Sequence, residues 1–149
     1  MKYVGINVIW KGLTDMGFEV FDFIDRKKAG MYALCLNWSS VLEANAKTNA
    51  NWKDRTAHAR QSIHGRVEKN RDKYSIYISH GVEYGEILEE GSKPHIITPK
   101  DKKALYWRGA AHPVKVVNHP GTKGFSTLED TLDKNKGMIV ETIIEHWSD

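Results

Sequence analysis

Ser79-His80-Gly81-Val82-Glu83-Tyr84-Gly85-Glu86-Ile87-Leu88-Glu89-Glu90-Gly91 is the stretch where the periodicity of the chain changes. Just before and into it, Tyr74, Ile76 and Ile78 alternate with Ser75, Tyr77 and Ser79, the period of two of a strand with one apolar face. After Gly81 the apolar positions Val82, Gly85 and Leu88, with Tyr84 and Ile87, recur at three and four, which predicts about two turns of helix. Gly81 permits the bend between them, and Gly91 stands where a C-terminal cap glycine belongs. Glu83 and Glu86 fall early in that helix, where its dipole favours anions. Glu89 and Glu90 fall late, where it does not, so a neighbour must tolerate them.

Upstream of that strand, Ile63, Gly65 and Val67 share one face of another, and Asn70-Arg71-Asp72 makes the turn of a hairpin that returns over Lys73 to His80. Downstream, Ser92-Lys93-Pro94 is a loop, His95 to Thr98 a short strand ended by Pro99, and Ala104 to Trp107 a further strand. Arg108 to Pro113 turns the chain into a last strand, Val114 to His119, which His119-Pro120-Gly121-Thr122 ends. A final helix begins at Ser126 or Thr127. Its broad stripe is Leu128, Leu132, Ile139, Ile143 and Trp147, with Thr131 and Asn135 between, and Thr127 with Asp130 forms a weak capping box.

Toward the N-terminus, alternation of Val4, Ile6, Val8 and Trp10 with Tyr3, Gly5, Asn7 and Ile9 predicts a first strand, broken at Gly12. Thr14 or Asp15 would cap the helix that follows. This proline-free stretch reads as mostly helix to about Asn49, with a break near Asp25 or Gly30. Two apolar stripes run along its second half: Ala29, Ala33, Leu36 and Ser40, and on another side Met31, Leu34, Cys35, Trp38 and Leu42. A surface helix carries one such stripe, so this one is expected to be sandwiched, within its own domain or against a second subunit. Residues 45–62 read as a polar loop anchored by Trp52. The expected fold is α+β in a single domain spanning 1–149. A small antiparallel sheet is flanked by a long N-terminal helical region, a short helix after the central hairpin and a C-terminal helix.

Composition narrows the chemistry. The chain has 149 residues and a net charge of +3, which makes no demand for nucleic acid. Cys35 is the single cysteine, which excludes an internal disulfide and a cysteine-built zinc site. The beginning lacks a signal-peptide apolar region, and no apolar run reaches the ~20 residues of a membrane span, so an intracellular product without a membrane partner is expected. Seven histidines make no HExxH or other familiar ligand spacing, with His80 and Glu83 the nearest pair. There is no phosphate-cradling glycine motif and no GxSxG elbow. Ser79 and His80 point to opposite faces of a strand, and Cys35 lies in an apolar helix, which suits a structural thiol. No catalytic residue, cofactor or metal is assigned.

One charged segment remains. Between Lys47 and Lys73 there are eight cations against Asp54, Glu68 and Asp72. This segment can serve as a phosphate-binding face, as a solvated surface, or as a contact for a protein partner. The chain carries a complement in Glu83, Glu86, Glu89 and Glu90, so a ring of copies can join basic patch to acidic helix. Arg55, Arg60, Arg66, Glu83, Glu86 and Glu89 are the candidate interface residues.

The pieces Trp52, Arg55-Thr56, Ala59-Arg60-Gln61-Ser62-Ile63, Ser79 to Gly85, Leu88-Glu89, Gly91, Pro99, Ala104-Leu105, Trp107 and His119-Pro120-Gly121-Thr122 resemble, in order and spacing, the tail-completion or neck proteins of tailed bacteriophages. The resemblance covers about residues 50 to 132. Ala57-His58 stand where the family often has glycine after the Arg-Thr pair, and Lys123-Gly124-Phe125 where it often has proline. The resemblance implies a structural role without catalytic residues: a subunit at the head-proximal end of the tail, joining it to the DNA-filled head. It implies as partners copies of itself in an oligomeric ring, the tail-tube and head-connector proteins and the genomic DNA that passes between them. The implied location is the host cytoplasm during assembly and then the virion. The alternative reading is a nucleic-acid-binding module using residues 47–73.

Overall fold

A computed structural model describes residues 4–148, with side-chain burial from Met16 onward. The fold is α+β: four helices, and six short strands paired two by two. Helix α1 spans Val4–Asn49 without interruption, about 69 Å at 1.5 Å per residue. The expected strand over Val4–Trp10, the stop at Gly12, the cap at Thr14 or Asp15 and the break near Asp25 or Gly30 are all absent from it. A strand needs a ladder partner for its backbone groups, whereas a helix satisfies its own. A short apolar run that is continuous with helix formers therefore joins the helix. Tyr3, part of that expected strand, lies outside the described residues.

Gly30, read as a break, is a notch. A Cβ there would stand 2.6 Å from the His146 ring of helix α4, Thr127–Ser148, so the glycine lets that ring lie against α1. The two helices run antiparallel, joined by a ladder of hydrogen bonds. Asn45 Nδ2 donates to Asn135 Oδ1 (3.1 Å), Trp38 Nε1 to Thr142 Oγ1 (2.8 Å) and Lys27 Nζ to the His146 carbonyl (2.7 Å). From Val4 to Arg26, α1 runs ahead of that last crossing, about 35 Å by the same rise.

The face α4 turns inward matches the expected stripe only in part. Thr127, Thr131 and Asn135 are buried, while Leu132 and Trp147 are exposed. The buried polar groups bond along the helix, Asn135 Nδ2 to the Thr131 carbonyl (2.8 Å) and Thr131 Oγ1 to the Thr127 carbonyl (2.7 Å). Burial of the Thr131 and Asn135 side chains is tolerable because they are paired.

The hairpin forms as read: β1, Ile63–Asn70, pairs with β2, Lys73–His80, in a register running from Ile63 opposite His80 to Asn70 opposite Lys73. It lies on α1, and Gly65 makes this approach possible, since a Cβ there would collide with the Ser39 carbonyl. The Gly65 N–H donates to Glu43 Oε2 (2.9 Å), and Tyr74 Oη to the Lys28 carbonyl (3.1 Å). Between α1 and the hairpin the expected polar loop contains a short helix α2, His58–Gln61. Trp52 anchors it as read, buried with Ala46, Ala50 and Ile63, with Leu88 and Leu128 packed against them. A second run of core side chains, Met31, Cys35, Trp38 and Leu42, continues along α1.

Helix α3, Gly85–Glu90, starts three residues later than its periodicity predicts and ends at Gly91, whose φ of 83° is open to glycine. Beyond it, β3 (Gly91–Ser92) pairs with β6 (Thr122–Lys123), and β4 (His95–Ile97) with β5 (Val117–His119). The two ladders share one register, from Gly91 opposite Lys123 to Ile97 opposite Val117. They are halves of a single two-stranded arm. In that register Pro94 falls opposite Pro120, a rung where neither strand has an N–H to donate. Two expected strands shrink accordingly. Ala104–Trp107 reduces to one bridge, Leu105 to Val114, and Val114–His119 to its last three residues. Thr122, read as the end of the strands, opens β6.

Candidate interaction surfaces

The charged residues singled out in the sequence divide into two groups. Arg60 is turned inward. Its guanidinium pairs with Asp54 (2.6 Å), donates to the Lys47 carbonyl and to the Ala50 carbonyl (3.1 Å), and lies over the Trp52 ring at 5.7 Å. Lys47 and Ala50 are at the end of α1, where backbone carbonyls lack helical partners, so Arg60 closes that helix. Glu89 is also turned inward. One carboxylate oxygen meets His80 Nε2 (2.9 Å), and the other accepts the backbone N–H of Leu128 (2.9 Å). This answers what tolerates an acid late in α3: a histidine of β2 and the positive end of α4. Glu89 therefore takes the capping part expected of Thr127, whose buried Oγ1 has no partner.

Arg55, Arg66, Glu83 and Glu86 are exposed. Arg66 pairs with Glu68 on its own strand. Arg55, Glu83 and Glu86 make no ion pair among the described residues. The basic segment is less basic than its count. Lys47 pairs with Glu43 (2.6 Å), Arg60 with Asp54 and Arg66 with Glu68, leaving Lys53, Arg55, Lys69, Arg71 and Lys73. Arg55 and Thr56 line a cavity of about 280 Å³ together with Trp52, His58, Tyr84 and Leu88, between the loop before α2 and the start of α3.

Of the two stripes on α1, Met31, Cys35, Trp38 and Leu42 are buried, whereas Ala29, Ala33, Leu36 and Ser40 face outward. Further apolar side chains stand exposed on the leading part of α1: Met16, Phe18, Val20, Phe21 and Phe23, each half or more accessible. The arm exposes another set, Ile96, Tyr106, Trp107 and Val116. Neither set is visible from local pattern, because a helix start or a strand face shows its apolar residues in sequence without showing what covers them.

Chemistry outside these surfaces is sparse. Cross-strand register sets Ser79 opposite His64, with Ser79 Oγ 3.2 Å from Nε2, and His64 Nδ1 3.0 Å from the Ser62 carbonyl. Reading adjacent residues alone misses this pair. Both residues are exposed, and the ring's second nitrogen meets a backbone carbonyl instead of a carboxylate. His95 and His119 stack at 5.0 Å across β4 and β5. Among the described residues no three histidine, cysteine, aspartate or glutamate side chains converge as a metal site, and no helix is long and apolar enough to cross a membrane. Burial pushes the Cys35 thiol above its usual pKa, away from the reactive thiolate.

The residues that carry the resemblance to neck proteins are in large part those that hold the body together. Trp52 packs on His80 and Phe125, Gly85 fits against the His80 side chain, and Glu89 ties α3 to α4. Compared with protein-family models, curated proteins and solved structures, the chain matches none.

Proposed function

We propose that this protein is a structural subunit of a tailed-phage particle, a tail-completion or neck component that joins tail to head by associating with copies of itself and with adjoining virion proteins. The observation that carries the reading is apolar surface in excess of what the body buries. One stripe of α1 faces solvent along Ala29, Ala33 and Leu36, and Phe18 and Phe21 stand 74% and 68% exposed ahead of it. Exposed apolar side chains in this number on one helix favour protein contacts. The resemblance in residues 50–132 supplies the particular role.

Deleting the gene from the phage or prophage that carries it tests the reading. Filled heads and finished tails should accumulate unjoined, and supplying the protein in trans should restore joining. Infectious particles at normal yield would overturn it. The rival, a nucleic-acid-binding module on residues 47–73, is weakened by the pairing of Lys47, Arg60 and Arg66 with local acids. It predicts affinity for DNA that falls steeply with salt.

A further inference from the structure

Two unpartnered projections leave the body at opposite ends. One is the leading part of α1, beyond the crossing of Lys27 with His146 near the C-terminus of α4. The other is the arm, which springs from Gly91 and Lys123 beside the N-terminus of α4, where Glu89 meets Leu128. The 22 residues of α4 separate these ends by about 33 Å. A body of that length keeps the two surfaces of one chain apart.

Their chemistries are complementary. In α1, at 100° per residue, Met16, Val20, Phe21, Phe23 and Ile24 fall on one side, and Glu19, Asp22, Asp25 and Arg26 on the other, with Phe18 among the charges. The segment is an amphipathic helix carrying three acids and one base, with Asp22 and Arg26 already paired (3.0 Å). The arm holds an apolar trough of about 450 Å³ lined by Ile97, Leu105, Tyr106, Trp107 and Val117. The same segment of chain, 93–119, carries Lys93, Lys100, Lys102, Lys103, Arg108 and Lys115 against Asp101 alone, all exposed and none in an ion pair among the described residues. An apolar trough on a net-basic arm suits a net-acidic amphipathic helix, the apolar face supplying the contact and the opposite net charges favouring encounter.

We infer that residues 16–26 of α1 in one copy dock into the β4–β5 trough of the arm in the next. The contact is heterologous, with different surfaces on the two sides, so repetition builds a ring if the rotation closes. It deepens the self-association in the proposed function, and adds a site distinct from the 53–73 and 83–90 charges.

Charge exchange tests the contact. One full-length variant carries Glu19→Lys, Asp22→Lys and Asp25→Lys; another carries Lys100→Glu, Lys102→Glu and Lys103→Glu; a third carries both sets. Circular dichroism and thermal melting check that each folds, as substitutions at exposed positions should allow. In sedimentation and chemical cross-linking at low salt, either set alone should weaken self-association by roughly tenfold or more, and both together should restore it. Added salt should weaken the unaltered protein in the same way. A protein that stays monomeric at its highest soluble concentration, or that associates equally well in all variants, overturns the inference. So does a single-stranded oligonucleotide that binds the arm through Trp107 while the lysine variant leaves self-association unchanged, since nucleic acid would then be the occupant. Normal joining of heads and tails by both single-set variants would overturn the contact and leave the neck reading standing. Failure of the gene deletion to affect joining would remove the neck reading without touching the sedimentation result.

Discussion

Glu89 sits where a short helix, a strand and a long helix meet, and its two oxygens serve His80 and the first turn of α4. Its side chain is 17% exposed. Glu89→Ala should lower stability by about 2 kcal/mol, because a cap and a buried partner are lost together. Urea denaturation of the isolated protein measures this; an unchanged midpoint would mean that the carboxylate matters only in assembly. Glu43 offers a test with pH. The Lys47 ammonium bonded to it, with help from the Gly65 N–H, holds its carboxyl below the usual value of 4.5. A depressed pKa stabilises the fold above the unfolded-state pKa and stops doing so as the pH falls through the folded-state value. Glu43→Gln should therefore be less stable than the unaltered protein at neutral pH. The gap should close in acid, below about pH 4.5, as thermal melts across the range would record.

At the scale of elements, two glycines in helices make opposite predictions. Gly137 in α4 has nothing within 4 Å of where a Cβ would stand, so Gly137→Ala should raise stability by about 1 kcal/mol through helix propensity alone. Gly30 in α1 faces the His146 ring, which also bonds the Lys27 carbonyl through Nε2 (2.8 Å). Gly30→Ala should show no such gain. Paired melting curves decide the matter, and equal gains at both sites would contradict the packing described here. The hairpin, α3 and α4 were legible from residue types because each carries its own signal: alternation, spacing, or a glycine that permits a special φ. The expected first strand is helix from Val4 on because eight residues of alternation, Tyr3 to Trp10, do not say whether a ladder partner exists. The stripe of α4 is only partly the inward face: Thr131 and Asn135 within it are buried and hydrogen-bonded, whereas Leu132 and Trp147 are exposed, because hydropathy assigns leucine and tryptophan to the core without reporting which flank meets a partner.

For the whole molecule, the candidate site was legible in part. Charge counting found residues 47–73 and 83–90, but a count cannot distinguish Arg55, which stands free among the described residues, from Arg60, which closes a helix. Chemistry that depends on register, such as the His64–Ser79 pair, became visible only once strand pairing was known. The arm was read as strands of a sheet because alternation reports a face without reporting what covers it. Its real setting, two strands nested on one register and leaving the body together, follows from long-range pairing that local sequence does not encode.

The facing prolines of the arm have a mechanical consequence. With no backbone donor on either side of that rung, no ladder bond crosses between the strands there, and root and tip are tied by the chain and by two local bonds, His95 Nδ1 with the Lys93 carbonyl (2.8 Å) and the Gly121 N–H with His119 Nδ1 (3.1 Å). A ribbon without a ladder bond at its base bends there more readily than along its length, so its tip can meet a neighbouring surface over a range of tilts.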